Sequence, residues 1–88
     1  MKKCYLISFD MADGGDYDSI VEAVKAYGTW AHVTESTWAV VSKDNHKEIR
    51  DDLRQYLPDG SRLFVVESGV AAAWQDVICR GDWLRKRL

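Results

Sequence analysis

Only one proline, two cysteines and two histidines occur in the 88 residues, and each scarcity closes off a class of protein. Cys4 and Cys79 stand at opposite ends of the sequence, in no CxxC or CxxH pattern. That leaves no disulfide framework and no zinc spacing, and it predicts two reduced, partly buried thiols. No long apolar run is present either. After Lys2-Lys3 the stretch Cys4-Tyr5-Leu6-Ile7 soon reaches Asp10, too short for a membrane span or a signal-peptide core, so a cytoplasmic protein without membrane contact is expected. Nor is there an excess of positive charge: a formal charge of −2 argues against a protein that coats nucleic acid non-specifically, because such binding needs many lysine and arginine contacts to phosphates. Glycine-rich phosphate loops and nucleophile elbows are missing too.

What is present is a globular composition, 47% hydrophobic and 30% charged, in a length suited to one domain with a thin core. A chain this short buries only about 60–65% of the surface that its unfolded form exposes, so self-association is an expected source of further burial. Cys4 to Phe9 is rich in β-formers and reads as a first strand. Tyr17, Ile20, Val21, Val24 and Tyr27 fall at helical spacing, with Asp16 as N-cap and Gly28 as the stop. Thr29 to Val33 and Ser36 to Val41 form a strand pair around Thr34-Glu35. Within Lys43 to Leu57, the residues Ile49, Leu53, Tyr56 and Leu57 mark a second, amphipathic helix ended by Pro58-Asp59-Gly60. Arg62 to Glu67 is a last strand. Val70, Ala71, Trp74, Val77 and Ile78 then suit a helix that Gly81 interrupts, before a final apolar turn at Trp83, Leu84 and Leu88.

The order strand, helix, strand, strand, helix, strand predicts an α+β domain, a ferredoxin-like β-α-β-β-α-β sandwich with a four-stranded antiparallel sheet. The core spans about residues 3–67 and a helical tail about 68–88. One face of such a sheet has no helix of its own. Trp30 and Trp38 are expected on it, covered by the tail or by a second copy, and a homodimer follows.

Asp10 is the leading candidate for chemistry, because a carboxylate at the end of a buried strand is held rigidly at a sheet edge. One carboxylate is a poor magnesium site, and further oxygens would have to come from Asp13, Asp16 or Asp18, or from a second Asp10 across a dimer axis. Helix and turn capping is the plainer role for these acids. Ser8 and Ser36 are hydrogen-bond donors near Asp10, and His32 is a general base if it faces the same side. His32 equally suits a locally satisfied strand histidine. The four tryptophans suit packing, or stacking on bases where they interleave with basic residues. Arg80, Arg85, Lys86 and Arg87 make the tail basic, either to solvate a terminal helix or to meet phosphate or a partner.

The strand end Ile7-Ser8-Phe9-Asp10, the helix end Tyr27-Gly28, the hairpin Thr34-Glu35-Ser36-Thr37-Trp38 and the strand Leu63-Phe64-Val65-Val66 resemble the CRISPR-associated Cas-two proteins and the related virulence-associated protein D. A closer likeness is to bacterial proteins labelled SinR-like, which share the wording Thr29-Trp30-Ala31-His32 and Glu35-Ser36-Thr37-Trp38-Ala39-Val40. The resemblance implies a ferredoxin-like homodimer in which Asp10 is the ligand of a divalent metal, magnesium or manganese, in members that cut RNA or DNA. Other members act without cutting, as a dimeric bridge. Ser36 and Trp38 match the family's serine and following aromatic. Thr34 replaces its glutamine, and Gly14-Gly15-Asp16 fills the loop that carries its arginine. Two functions result: a non-catalytic module that binds nucleic acid or protein, or a magnesium-dependent endonuclease acting through Asp10, Ser8, Ser36 and His32.

Overall fold

The computed structural model describes residues 2–69, 73 and 77–87. Among them, strand β1 (Lys3–Asp10) leads into helix α1 (Tyr17–Lys25), strands β2 (Thr29–Thr34) and β3 (Thr37–Ser42), helix α2 (His46–Arg54), strand β4 (Arg62–Glu67) and helix α3 (Gly81–Arg87). The strands form one sheet in the order β2-β3-β1-β4, each neighbouring pair antiparallel. The domain is thus a small α+β fold in which each of α1 and α2 joins two strands that are not neighbours.

The two-residue alternation of β1 decides the layering. Tyr5, Ile7 and Phe9 point to one face and join Trp38 and Val40 of β3 in a single buried cluster with Ile20 and Val24 of α1 and Ile49 and Leu53 of α2. Ile7 sits at the centre, opposite Trp38 on one side and Val65 on the other. Ile7, Ile20, Ile49 and Leu53 are completely buried, each contributing roughly 1.5–3 kcal/mol of transfer free energy.

Local signals start and stop the helices. The Asp16 carboxylate accepts hydrogen bonds from the Asp18 N–H (3.1 Å) and the Ser19 hydroxyl (2.7 Å), and the Ser19 bond holds its pKa below the usual carboxylate value. Gly28 ends the α1 region with φ at +94°, a left-handed conformation in which a Cβ is strained. Asn45 opens α2 with a reciprocal box: its side-chain oxygen accepts from the Glu48 N–H (2.9 Å) and Glu48 accepts from the Asn45 N–H (3.1 Å). A hydrogen bond from the Tyr27 hydroxyl to Asp52 Oδ2 (2.7 Å) ties the end of the α1 region to α2.

The second face carries Cys4, Leu6, Ser8 and Asp10 of β1, Ala31 of β2 and Ala39 of β3, by the strand register. At Ser68, whose N–H donates to the Cys4 carbonyl (2.9 Å), the chain is still beside β1; at Ile78, whose N–H donates to the Val33 carbonyl (2.8 Å), it has reached the outer edge of β2. Helix α3 follows. Its Leu84 is 2% exposed without belonging to the α1/α2 cluster, and Arg87 lies near enough to influence the Cys4 thiol. Cys4, Ala31 and Ala39 are buried, and α3 lies beside β2, where Ala31 shares a groove with Trp83, Lys86 and Arg87. On the β4 side Phe64 remains 63% exposed and Val66 38%.

Two expectations require correction. Trp30 and Trp38 do not lie on the face opposite α1 and α2: Trp38 is 3% exposed within the helix-side cluster, and Trp30 packs against it with ring centroids 5.7 Å apart. Indoles need the thick layer between sheet and helices, whereas α3 approaches over alanines. Gly81 does not interrupt a helix but is the first residue of one. Ala73 and the segment 77–80 are not helical, and Val70, Ala71, Trp74 and Leu88 of the expected tail lie outside the described residues.

Candidate functional site

Because Phe9 points to the core, strand alternation turns Asp10 to the second face, at the rim of the sheet. Its carboxylate is exposed and faces Arg62 of β4, its cross-strand neighbour, with Arg62 Nη1 3.9 Å from Asp10 Oδ2 and both side chains open to solvent. An ion pair this long and wet contributes little to stability. The turn between β2 and β3 folds back beside it, since the Phe9 N–H donates to the Ser36 carbonyl at 3.1 Å. Asp10, Glu35 and Ser36 thereby line one groove of about 500 Å³, with Phe9, Met11 and Tyr17 as its apolar wall.

Of the residues singled out in the sequence, Asp10 and Ser36 meet in this groove, and Ser8 shares the Asp10 face of β1. His32 does not join them. It pairs with Trp38 across the sheet and therefore belongs to the opposite face, its ring stacked on the indole at 4.1 Å and 9°. Its Nε2 lies 3.2 Å from the Glu35 carbonyl, an acceptor that requires the proton on that nitrogen. The condition for its acting as base beside Asp10, a shared face, is not met. Among the described residues the indole Nε1 of Trp38 is buried without a hydrogen-bond partner, an uncommon cost at a core position.

Asp13, Asp16 and Asp18 are not among the residues that line the Asp10 groove. Asp16 is spent on capping α1, and among the described residues no three histidine, cysteine, aspartate or glutamate side chains converge as a metal group. Magnesium takes about six oxygens and often only one or two carboxylates, with water and phosphate completing the shell. Among the described residues one copy of the groove offers the carboxylates of Asp10 and Glu35, too few for a protein-only magnesium cage.

A second groove, of about 370 Å³, separates β2 from the tail. Trp30 and His32 line it from β2, and Asp82, Trp83, Lys86 and Arg87 from α3, with Arg80 just before that helix. Lys25 Nζ lies 4.9 Å from the Trp30 ring centroid and the Arg87 guanidinium 5.0 Å from that of Trp83, both at cation–π range. Asp82 is engaged by Arg80 at 3.2 Å. Tryptophan content and tail basicity were visible in the sequence, but only the path of the tail joins residues some fifty positions apart. Glu35 likewise reaches Asp10 only through the folding back of the hairpin.

Burial pushes the thiols of Cys4 and Cys79 above the usual value, which lowers the thiolate fraction of each at neutral pH. Among the described residues no helix is long and apolar enough to cross a membrane. No family model, curated protein or solved structure matches this chain.

Proposed function

We propose that the chain is a ferredoxin-like, Cas-two-like homodimer of the cytoplasm that binds a nucleic-acid or protein partner without catalysing a reaction and without a metal. The strand order β2-β3-β1-β4 with α1 and α2 on one face supports the ferredoxin-like reading. The observation that carries the function is the unfinished half of the second face. Phe64 and Val66 stand exposed on β4, an edge strand among the described residues, while α3 lies beside β2 at the other edge, and an apolar strip on a sheet edge is a surface for a second copy. Two such strips related by a two-fold axis bury one another. The test is the solution mass of the native protein and of Phe64→Asp: a dimer that becomes a folded monomer supports the reading, and a native monomer, or a dimer indifferent to the change, refutes it. Binding of labelled RNA and DNA is expected to persist in EDTA and in Asp10→Asn.

The exposed carboxylates of Asp10 and Glu35 in one groove with Ser36 favour a second reading, a magnesium-dependent endonuclease whose ligand set is completed by another subunit and the substrate. Incubation of labelled RNA and DNA with and without magnesium or manganese separates the two. Metal-dependent products lost in a folded Asp10→Asn variant establish the nuclease.

A further inference from the structure

We infer that the groove between β2 and α3 is a binding site for one nucleotide unit, with the base stacked on indole and the phosphate held by Lys86 and Arg87. The inference deepens the reading of the chain as a binding module, yet the site is complete within one chain and does not need the dimer.

Three observations on different elements converge. The first is flat π surface at an open position: Trp30 is 37% exposed, and it shares the groove with Trp83. Every nucleobase has a π face that such rings accept. The second is charge. Lys86 and Arg87 bring positive charge to the groove, and its carboxylate, Asp82, is already neutralised by Arg80; this local cationic patch stands in a chain whose overall charge is −2. Within the groove the Arg87 guanidinium lies 5.0 Å from the Trp83 ring centroid, so positive charge stands beside an aromatic ring of the same helix, as a phosphate next to a stacked base requires. The third is size: about 370 Å³ lies at the lower end of the roughly 300–1,000 Å³ range of small-molecule sites. The acidity of the rest of the chain disfavours a long polyanion laid over the surface and confines recognition to one unit at this patch. That unit is either a free nucleotide or the end of a single strand.

Calorimetric titration and tryptophan quenching of the full-length protein distinguish these sources, with AMP and ATP in one arm, a short single-stranded oligonucleotide in a second and inorganic phosphate in a third. Saturable binding of the nucleotides or of the oligonucleotide, but not of phosphate alone, is expected. Trp83→Ala should weaken it by roughly five- to a hundredfold, the range that stacking of one base supports. Because Trp83→Ala could loosen α3, the exposed Lys86→Gln is the second probe. It should weaken binding and, in the oligonucleotide arm, lower the slope of log affinity against log salt by about 0.7, the value for one phosphate contact on a single strand. Absence of saturable binding in both the nucleotide and oligonucleotide arms overturns the inference, as does binding that both variants leave unchanged. The Phe64→Asp monomer should bind as the native protein does, so failure of the dimer and failure of the groove are read separately.

Discussion

Replacing Tyr27 by phenylalanine removes one oxygen atom and, with it, the 2.7 Å hydrogen bond from the α1 end to Asp52 of α2. A hydrogen bond to a charged acceptor is worth about 1.5–3 kcal/mol when buried. Both residues here are half-buried and water can serve Asp52 in the variant, so the expected loss is about 1–1.5 kcal/mol. In a domain of this size that lowers Tm by roughly 4–10 °C. The pH dependence is the sharper test. Burial raises the pKa of the Tyr27 hydroxyl above its ordinary value of 10.0, and the hydrogen bond and charge of Asp52 raise it further. Below pH 10 the phenol is protonated in both folded and unfolded chains and the full stabilisation is present. Above it the unfolded chain loses the proton while the folded one keeps it, so the native protein loses stability with rising pH. Urea unfolding of the native protein and Tyr27→Phe across this range should show a gap that is constant near neutral pH and closes in alkali. Comparison of the pair cancels the other tyrosines. A double-mutant cycle with Asp52→Asn should give a coupling of at least about 0.5 kcal/mol. Equal stability of the two proteins at neutral pH, or a gap that persists unchanged into alkali, would refute the reasoning.

Gly28→Ala should cost about 1–2 kcal/mol in chemical denaturation from backbone strain alone, because a Cβ there meets no atom within 4 Å; a loss this large should shrink in Gly28→Asn. Asn45→Ala opens the α2 capping box and should cost about 1 kcal/mol by the same measurement. Ile7→Ala, at the completely buried centre of the sheet, should cost about 2–5 kcal/mol, against a negligible change for the exposed Phe64→Asp at low concentration. Leu84→Ala should loosen α3 and raise the rate at which a thiol reagent modifies Cys4, with the more open Cys79 as the internal control; an unchanged Cys4 rate would show that α3 does not shield that face.

The readable parts of this fold are those whose signals are local. Asp16 announced the start of α1 because a capping carboxylate needs only the next turn of backbone, and Arg62 to Glu67 emerged as β4 at its full length because Pro58-Asp59-Gly60 and Ser68-Gly69 bracket it. The faces of β2 and β3 were not readable in the same way. Trp30, Ala31, Val33, Trp38, Ala39 and Val40 put apolar residues on both parities, so alternation says which residues share a face and not which face meets the helices. Side-chain volume decides it, indoles towards α1 and α2 and alanines towards α3. In the tail, Gly81 has the composition of a breaker, yet a helix start tolerates glycine and the Trp83 N–H finds the Arg80 carbonyl at 3.1 Å.

The same distinction explains why Asp10 was legible as a position and not as a site. A strand ending in a carboxylate can be recognised from a few residues, whereas its surroundings depend on register: the β1/β4 pairing puts Arg62 opposite it, and the β2/β3 turn brings Glu35 and Ser36 alongside. Register also assigns His32 to the other side, where its stack on Trp38 and its bond to the Glu35 carbonyl make it a brace for the turn that carries Glu35. A shift of one residue in the β1/β3 pairing, with β2 carried along, would exchange these roles, turning His32 towards the Asp10 face and Trp38 out of the core. The burial of Trp38 thus fixes the chemistry available at the rim: the core selects the register, and the register leaves Asp10 with carboxylate and hydroxyl neighbours in place of an imidazole base.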